Sequence, residues 1–402
     1  MRRDPARAGA ERSMDNPAPC EDAVVRIVAL AGGIGGARFL RGVLRAAPGA
    51  DVTVIGNTGD DLTLHGLRIC PDLDTIMYTL GGGISEEQGW GRSEETFAVQ
   101  AELAEYGLGP AWFHLGDRDL GTHLVRTQML AAGFSLSSVT AALCDRWRPG
   151  VRLLPMSDDR IETHVVISDT EGRRAVHFQE WWLAMGAAVP AEHFVSVGAE
   201  TAKPAPGVIE ALATADVVLL PPSNPVVSIG SILSVPGIRD ALRDAPAPVV
   251  GVSPIIAGAP VRGMADACLT AIGVPTSAAG VARHYGARDR HPHSAVAGAA
   301  GAARGPGADS AEAAGAAGGP GADSAEAAWT PAAGLLDGWL VDTADLDTVD
   351  GAPAPPDISG MHVLVRPLIM TDVTAAAEIA QAALNLAREI EPKGAPNGGR
   401  PD

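Results

Sequence analysis

From Val24 the chain reads VVRIVAL, a run of aliphatic residues that predicts a buried strand. A glycine loop (AGGIGG) follows, then ARFLRGVLRAA with its apolar positions at helical spacing, the strand DVTVIG and a second polar loop. Strand, loop and helix in this alternation predict a parallel sheet, the start of an α/β doubly wound, Rossmann-like domain. The runs ADVVLL from Ala215 and PVVGV from Pro248 predict further strands of the same kind, each followed by a loop rich in Ser, Asn, Pro or Gly. Between them, Thr96 to Tyr106 and Thr122 to Ala132 predict helices. Arg152 to Ser168 predicts a strand paired with Arg174 to Glu180 around the turn DTEGR. These elements predict a smaller, partly helical lobe inserted at about residues 81–200 of a core that spans 24–287.

The pattern breaks at 288–333. GAARGPGADSAEAA at 301–314 is followed at once by GAAGGPGADSAEAA at 315–328, and two such units have too few large apolar side chains to bury a core. An inserted, disordered loop is expected there. LLDGWLVD, HVLVRPL and a helix from Val373 to about Ile390 then complete the core over 334–392, with a tail at 393–402. Residues 1–23 carry arginines but no apolar stretch of the secretory type and are expected to be a disordered extension, with Met1 and Met14 both available as starts.

With 402 residues and 46% hydrophobic content the chain can bury a sizeable core. The net charge of −18 disfavours nucleic acid and anionic membrane surfaces as partners. The best apolar stretch, PVVGVSPIIAGAPV, is short and broken by proline, so no membrane span is expected. Cys20, Cys70, Cys144 and Cys268 are scattered with no C-x-x-C pair, which argues against a zinc cluster or disulfide framework and suits the reducing cytosol.

Four polar segments are candidates for chemistry. Gly32, Gly33, Gly35 and Gly36 lie between the first strand and helix, where backbone N–H groups can cradle phosphate, although a tight strand-to-helix turn would use the same glycines. Arg38 stands where a dinucleotide fingerprint needs its third glycine, Asn57 closes the second strand without an acid, and no G-K-[ST] occurs; a nicotinamide dehydrogenase and a P-loop kinase are disfavoured. The second segment, GNTGDDLTLHGLRICPDLDT, collects Asp60, Asp61, Asp72 and Asp74 near the same sheet edge. Clustered carboxylates call for a cation, and magnesium takes one or two of them plus phosphate oxygens. At least one of the four is expected to ligate metal, with Asp60, Asp61 and Asp74 the candidates carried into the mechanism, while Asp72 could also cap the helix that follows it. The third, LGDRDLGTH with Arg126 beyond it, offers Asp117, Arg118, Asp119 and His123, either to hold a ligand or to pair within the loop. The fourth, PPSNPVVSIG, presents Ser223, Asn224 and Ser228 at a strand end, for a nucleotide edge or an Asn-Pro turn. His65 reads as a scaffold residue, and Trp181 with Trp182 as either a pocket wall or core.

Together with LLPMSDDRIETHV, FQEWW and SPIIAGAPVRGMAD, in this order, these segments resemble the 2-phospho-L-lactate transferase family over about residues 26–287 and 334–390. The likeness is greatest to the actinobacterial phosphoenolpyruvate transferase branch. The resemblance implies a magnesium-dependent enzyme of coenzyme F-420 biosynthesis. Its expected reaction moves an enolpyruvyl or lactyl phosphoester from a guanosine diphosphate-linked donor to the deazaflavin riboside Fo, releasing GMP. It implies that Asp74 and Arg118 contact the deazaflavin, beside Asp117 and His123, with Asp61, Asp74 and Arg118 as the catalytic set. A cytoplasmic homodimer is expected. The rival expectation is a non-catalytic nucleotide-binding regulator, which would have no need of the acceptor side formed by PDLD, LGDRD and FQEWW.

Overall fold

The computed structural model describes residues 24–289, 334–349 and 352–390. The chain opens with β1 (Arg26–Ala31), whose residues after Arg26 are all buried, and turns directly into α1 (Gly33–Ala46). β2 (Asp51–Gly56) returns parallel to β1, with Ala29 opposite Val54. The polar loop beyond β2 contains a small hairpin, β3 (Leu62–Leu64) and β4 (Leu67–Ile69), and leads to α2 (Pro71–Leu80).

The lobe then adds α3 (Ala98–Glu105), α4 (Asp117–Ala131) and α5 (Leu136–Trp147). The strand expected from Arg152 to Ser168 is two strands. β5 (Arg152–Pro155) lies parallel to β2 at one edge of the main sheet, and β6 (Glu162–Asp169) leaves it to pair antiparallel with β7 (Gly172–His177) and β8 (Ala191–Val197). The division falls at the polar turn Ser157–Arg160. There Ser157 Oγ donates to the carbonyl of Lys203 at 2.6 Å and accepts from Asp159 N–H at 3.0 Å, which ends one pairing before the next begins.

α6 (Val208–Thr214) brings the chain back to β9 (Val217–Leu220), beyond which α7 (Ile229–Ser234) and α8 (Ile238–Arg243) lead to β10 (Val249–Val252). A short hairpin, β11 (Ile255–Ile256) with β12 (Ala259–Pro260), precedes α9 (Ala265–Ala271) and α10 (Ala278–Tyr285). After residue 334 come β13 (Gly338–Val341), the hairpin β14 (Asp347–Val349) and β15 (Ala352–Ala354), β16 (His362–Val365) and α11 (Val373–Ile390), which packs against α1.

The main sheet has seven parallel strands in the order β16-β13-β10-β9-β1-β2-β5. From β1 the chain moves outward to β2 and β5, then returns to the other side of β1 as β9 and continues outward. This places the switch point between β1 and β9, where the loops at their carboxyl ends diverge and leave a crevice. Burial on both faces explains why the strands carry unbroken apolar runs: Val28 and Leu30 enter one hydrophobic cluster and Ile27, Ala29 and Ala31 the other.

The tandem units at 301–328 lie outside the described residues. The insert expected from residue 288 begins later, because Arg288 is buried: its guanidinium pairs with Asp337 and donates to the carbonyls of Leu242, Arg243 and Ala245 at 3.3, 3.2 and 2.8 Å. The two flanks of the 290–333 segment are thus held to one point of the core.

Candidate active site

At the switch point, Gly33 sits at φ +66°, a left-handed conformation that a side chain would strain, and this lets α1 begin immediately after β1. No side chain of the loop itself caps the helix. Its first N–H groups are taken from elsewhere: Gly33 N–H donates to Asp72 Oδ1 at 2.8 Å, and Gly32 N–H to Ser223 Oγ at 3.1 Å. Ser223 Oγ in turn donates to the carbonyl of Gly32 at 2.8 Å. A methyl group on Gly35 would lie 2.6 Å from the carbonyl oxygen of Pro222, and one on Gly36 2.6 Å from Ser223 Oγ, so these glycines let the two switch-point loops touch. Asn224 accepts from the N–H groups of Val226 and Val227 at 2.9 and 3.3 Å, a local turn that still leaves it on the cavity wall. Ser228 faces Gly32 from the start of α7.

Asp72 therefore caps α1, across the sheet edge, instead of its own helix α2. Its second oxygen accepts from Asn57 Nδ2 at 2.8 Å. Burial raises its pKa to about 6, against the pull of these two donors. Asp60 lies beside it, buried, with Oδ1 lacking any hydrogen-bond partner. Burial first, then the nearby Asp72 charge, pushes Asp60 well above the usual carboxylate range.

The other two carboxylates of this segment carry cationic partners. Asp61 is fully buried, pairs with Arg68 at 3.0 Å and is pushed up to about 7 by burial; it lies behind the cavity wall. Asp74 is on the wall and pairs with the buried Arg126, which also donates to the carbonyl of Arg68 at 3.3 Å and to His123 Nδ1 at 3.1 Å. Burial lowers the His123 pKa to about 4, so its ring is neutral; with Nδ1 accepting from Arg126, the ring proton sits on Nε2. Among the described residues no three Asp, Glu, His or Cys side chains converge as a metal cage.

LGDRD is the first turn of α4, which starts at Asp117 and not at Thr122. Asp117 uses its carboxylate to accept from the N–H groups of Ala98 and Val99, both at 3.0 Å, and so caps α3. Arg118 is half-exposed, reaches Glu94 at 3.1 Å and is not on the cavity wall. The residue of this segment that lines the cavity beside His123 is Asp119, 7% exposed, with Oδ1 unpartnered. Burial, and then the charge of Asp74, raise its pKa to about 7. Asp119, Thr122, His123 and Arg126 are the buried residues of α4, a polar stripe at i, i+3, i+4 and i+7. A helix read from Asp117 would have revealed that stripe in the sequence.

These groups share one cavity of about 780 Å³. Its lining includes Gly32, Gly33, Asp60, Asp72, Ser223 and Asn224 together with the aromatic rings of Tyr78, Trp90, Trp112, Phe113, Phe178 and Trp182. Trp182 belongs to this wall, whereas Trp181 is core: it has no exposed surface, and its Nε1–H donates to the carbonyl of Val189 at 2.7 Å. His65, exposed in the β3–β4 turn at φ +51°, is apart from the site.

A cavity lined both by polar groups around a helix start and by aromatic rings has the chemistry to take two unlike ligands. Residues 27–296 match the 2-phospho-L-lactate transferase CofD family. Among curated relatives, the chain is 57% identical to the phosphoenolpyruvate transferase of Streptomyces coelicolor over 91% of this chain and 99% of that protein. It is 58% identical to the phosphoenolpyruvate transferase of Thermobifida fusca, with the same coverage, and 50% identical to that of Mycobacterium avium over 90% and 99%. Two crystal structures of a Bacillus halodurans protein, one described as a member of the upf0052 family, superpose at TM-scores of 0.51 and 0.52 with 16% and 15% identity, covering 90% of this chain and 99% of theirs. That likeness concerns the fold.

Proposed function

The chain belongs to the 2-phospho-L-lactate transferase family, and from that premise we propose that its cavity carries a guanosine diphosphate-linked three-carbon phosphoester at the switch-point end and the deazaflavin riboside Fo at the aromatic end. The enzyme transfers a phosphoenolpyruvyl or phospholactyl group in coenzyme F-420 biosynthesis. The observation that carries the two-ligand reading is the continuity of the cavity from Gly33 to Trp182.

At the switch-point end, the N–H groups of Ile34 and Gly35, which remain once Gly32 and Gly33 are taken, hold the diphosphate, and the Ser223–Ser228 loop holds the nucleotide's polar edge. Magnesium fits beside them, because buried Asp60 has an unpartnered oxygen and stands next to a second carboxylate, Asp72. Of the ligands expected from the sequence, Asp60 is retained in this proposal; Asp61 and Asp74 have arginine partners, and Asp72 is the better neighbour. When bound, the cation neutralises charge on the phosphate oxygens.

At the aromatic end, Trp182, Trp112 and Phe178 sandwich the planar ring system, while Asp74, fixed by Arg126, and the Nε2–H of His123 orient the acceptor. A ribityl hydroxyl oxygen forms a bond to the distal phosphorus as the bond from that phosphorus to the bridging oxygen breaks and GMP leaves. The hydroxyl proton passes to Asp119, whose raised pKa suits a group that takes a proton near neutrality. Arg118, expected to touch the deazaflavin, joins this set only by leaving Glu94 and turning inward.

Two copies would pair through the helical lobe, where Tyr106, Leu108, Leu124, Val125 and Phe134 leave apolar side chains exposed. A cytosolic setting is consistent with the free thiols of Cys70, Cys144 and Cys268, and no described helix is long and apolar enough to cross a membrane. The deciding experiment incubates the protein with Fo, magnesium and either the enolpyruvyl or the lactyl donor, follows products by mass spectrometry, and includes an EDTA control. EDTA-sensitive product from either donor supports the reading, and nucleotide binding without product from both sinks it.

A further inference from the structure

Two arginines stand on the cavity wall, Arg38 of α1 and Arg262 of the loop after β12. Arg38 lies 3.8 Å from Glu86, which also pairs with Arg41. Arg262 forms no ion pair or hydrogen bond with any described residue. Its position is nonetheless specific. Gly89, at φ +74°, comes so close that an added methyl group would lie 2.4 Å from Arg262 Nη1, and the same point is 3.8 Å from Cγ1 of Ile34 in the first turn of α1. The guanidinium thus reaches from its own loop to the 85–92 loop, near the helix start at which the diphosphate is proposed to lie.

In a chain of net charge −18 an unpaired arginine at a cavity mouth has many acids within reach elsewhere, and here it has taken none. The proposed donor carries three kinds of charge or polarity. Its nucleotide edge has Ser223, Asn224 and Ser228, and its diphosphate has the N-terminus of α1 and the Asp60–Asp72 cation site. The carboxylate of its three-carbon group has no partner among these. A planar fork of N–H donors matches a carboxylate in two-point geometry.

We propose that Arg262 grips the carboxylate of the donor's three-carbon group and so selects 2-substituted carboxylic acid phosphoesters over other guanosine diphosphate esters. This rests on the transferase reading, and binding measurements separate the two, since transfer by the wild-type enzyme tests that reading on its own. By calorimetry, the donor, GDP and a guanosine diphosphate isopropyl ester that lacks the carboxylate are compared on wild type, Arg262→Gln and Arg262→Lys. Loss of a charged hydrogen-bond pair predicts that Arg262→Gln weakens donor binding by about 10- to 100-fold, with Arg262→Lys between it and wild type. GDP and the isopropyl ester should bind all three proteins equally, which also shows that the variants are folded. Donor affinity unchanged in Arg262→Gln overturns the assignment. An equal loss for GDP overturns it as well and makes Arg262 a phosphate ligand.

Discussion

The carboxylate of Asp72, in the first turn of α2, accepts the Gly33 N–H that opens α1 at 2.8 Å, so one helix supplies the cap of another. The contact ties the carboxylate segment to the glycine loop and would set the distance between the proposed cation and phosphate sites. Asp72→Ala should remove the cap, at a cost of about 1 kcal/mol of stability. It should also raise the magnesium concentration needed for half-maximal turnover. Urea unfolding and a magnesium titration measure the two effects; turnover with unchanged magnesium dependence would remove Asp72 from the cation site.

Asp60 and Asp61 are sequence neighbours with opposite expected phenotypes. Asp60→Asn replaces a buried carboxyl whose Oδ1 has no hydrogen-bond partner with a neutral amide, so stability should hold or rise while turnover falls at least about 100-fold. Asp61→Asn takes the paired carboxylate from the partly buried Arg68 and should destabilise by up to about 3 kcal/mol, with the folded fraction still active. Thermal unfolding combined with kinetics distinguishes them, and the reverse pattern would restore Asp61 to the catalytic set.

The first half of the doubly wound core was legible because β1, the glycine loop, α1 and β2 each satisfy a local rule. What the sequence hid was long-range or rotational. β5 and β6 are apolar runs of one kind, and nothing local says that the first pairs with β2 and the second with β7. Asp72 has a helix directly beneath it, so its partnership with Gly33, 39 residues away, has no local sign. Arg118 and Asp119 are adjacent, yet a turn of roughly 100° per residue sends one to Glu94 and the other into the cavity. Arg262 belongs to a motif that was recognisable as a whole, but only the fold brings it against Gly89, near Ile34.

The raised carboxylates make stability depend on pH in an unusual direction. Asp72 at about 6, and Asp61 and Asp119 at about 7, hold protons in the folded state that the unfolded chain releases near pH 4. Between about pH 4 and pH 7 the folded state therefore binds more protons, and stability falls as pH rises. Without divalent cations, the Tm should drop by roughly 5 °C from pH 5 to pH 7.5. Magnesium, which competes with protons for the carboxylates, should recover part of that loss at pH 7.5 and have little effect at pH 5. Differential scanning calorimetry at both pH values, with magnesium and with EDTA, checks the sign; a Tm that rises with pH in EDTA contradicts it.

Asp119→Asn keeps the shape of the side chain and removes its ability to take a proton. If Asp119 receives the ribityl proton, kcat in the wild type should climb with pH and level off above about 7, and the variant should lose that limb along with about 100-fold in kcat. The acceptor KM should change little, because the proposed contacts of Trp182 and Asp74 with the ring would remain. A variant whose pH profile keeps the same inflection would assign the titration to another group.

Trp181 and Trp182 occupy consecutive positions in a single π-helical turn, Glu180–Ala184, and divide the roles that FQEWW left open. Trp181 is enclosed by the core, with Phe194 edge-on at 5.9 Å between ring centroids, so Trp181→Ala should open a cavity and cost about 3–5 kcal/mol. Trp182 packs on Phe178 at 5.7 Å and turns its remaining surface to the aromatic end of the site. Trp182→Ala should cost less stability than Trp181→Ala while raising the KM for Fo about tenfold, the worth of one stacked face. The donor KM serves as the control. A rise in both KM values would mean that Trp182 shapes the whole cavity, and a rise in the donor's alone would exchange the two ends assigned to the ligands.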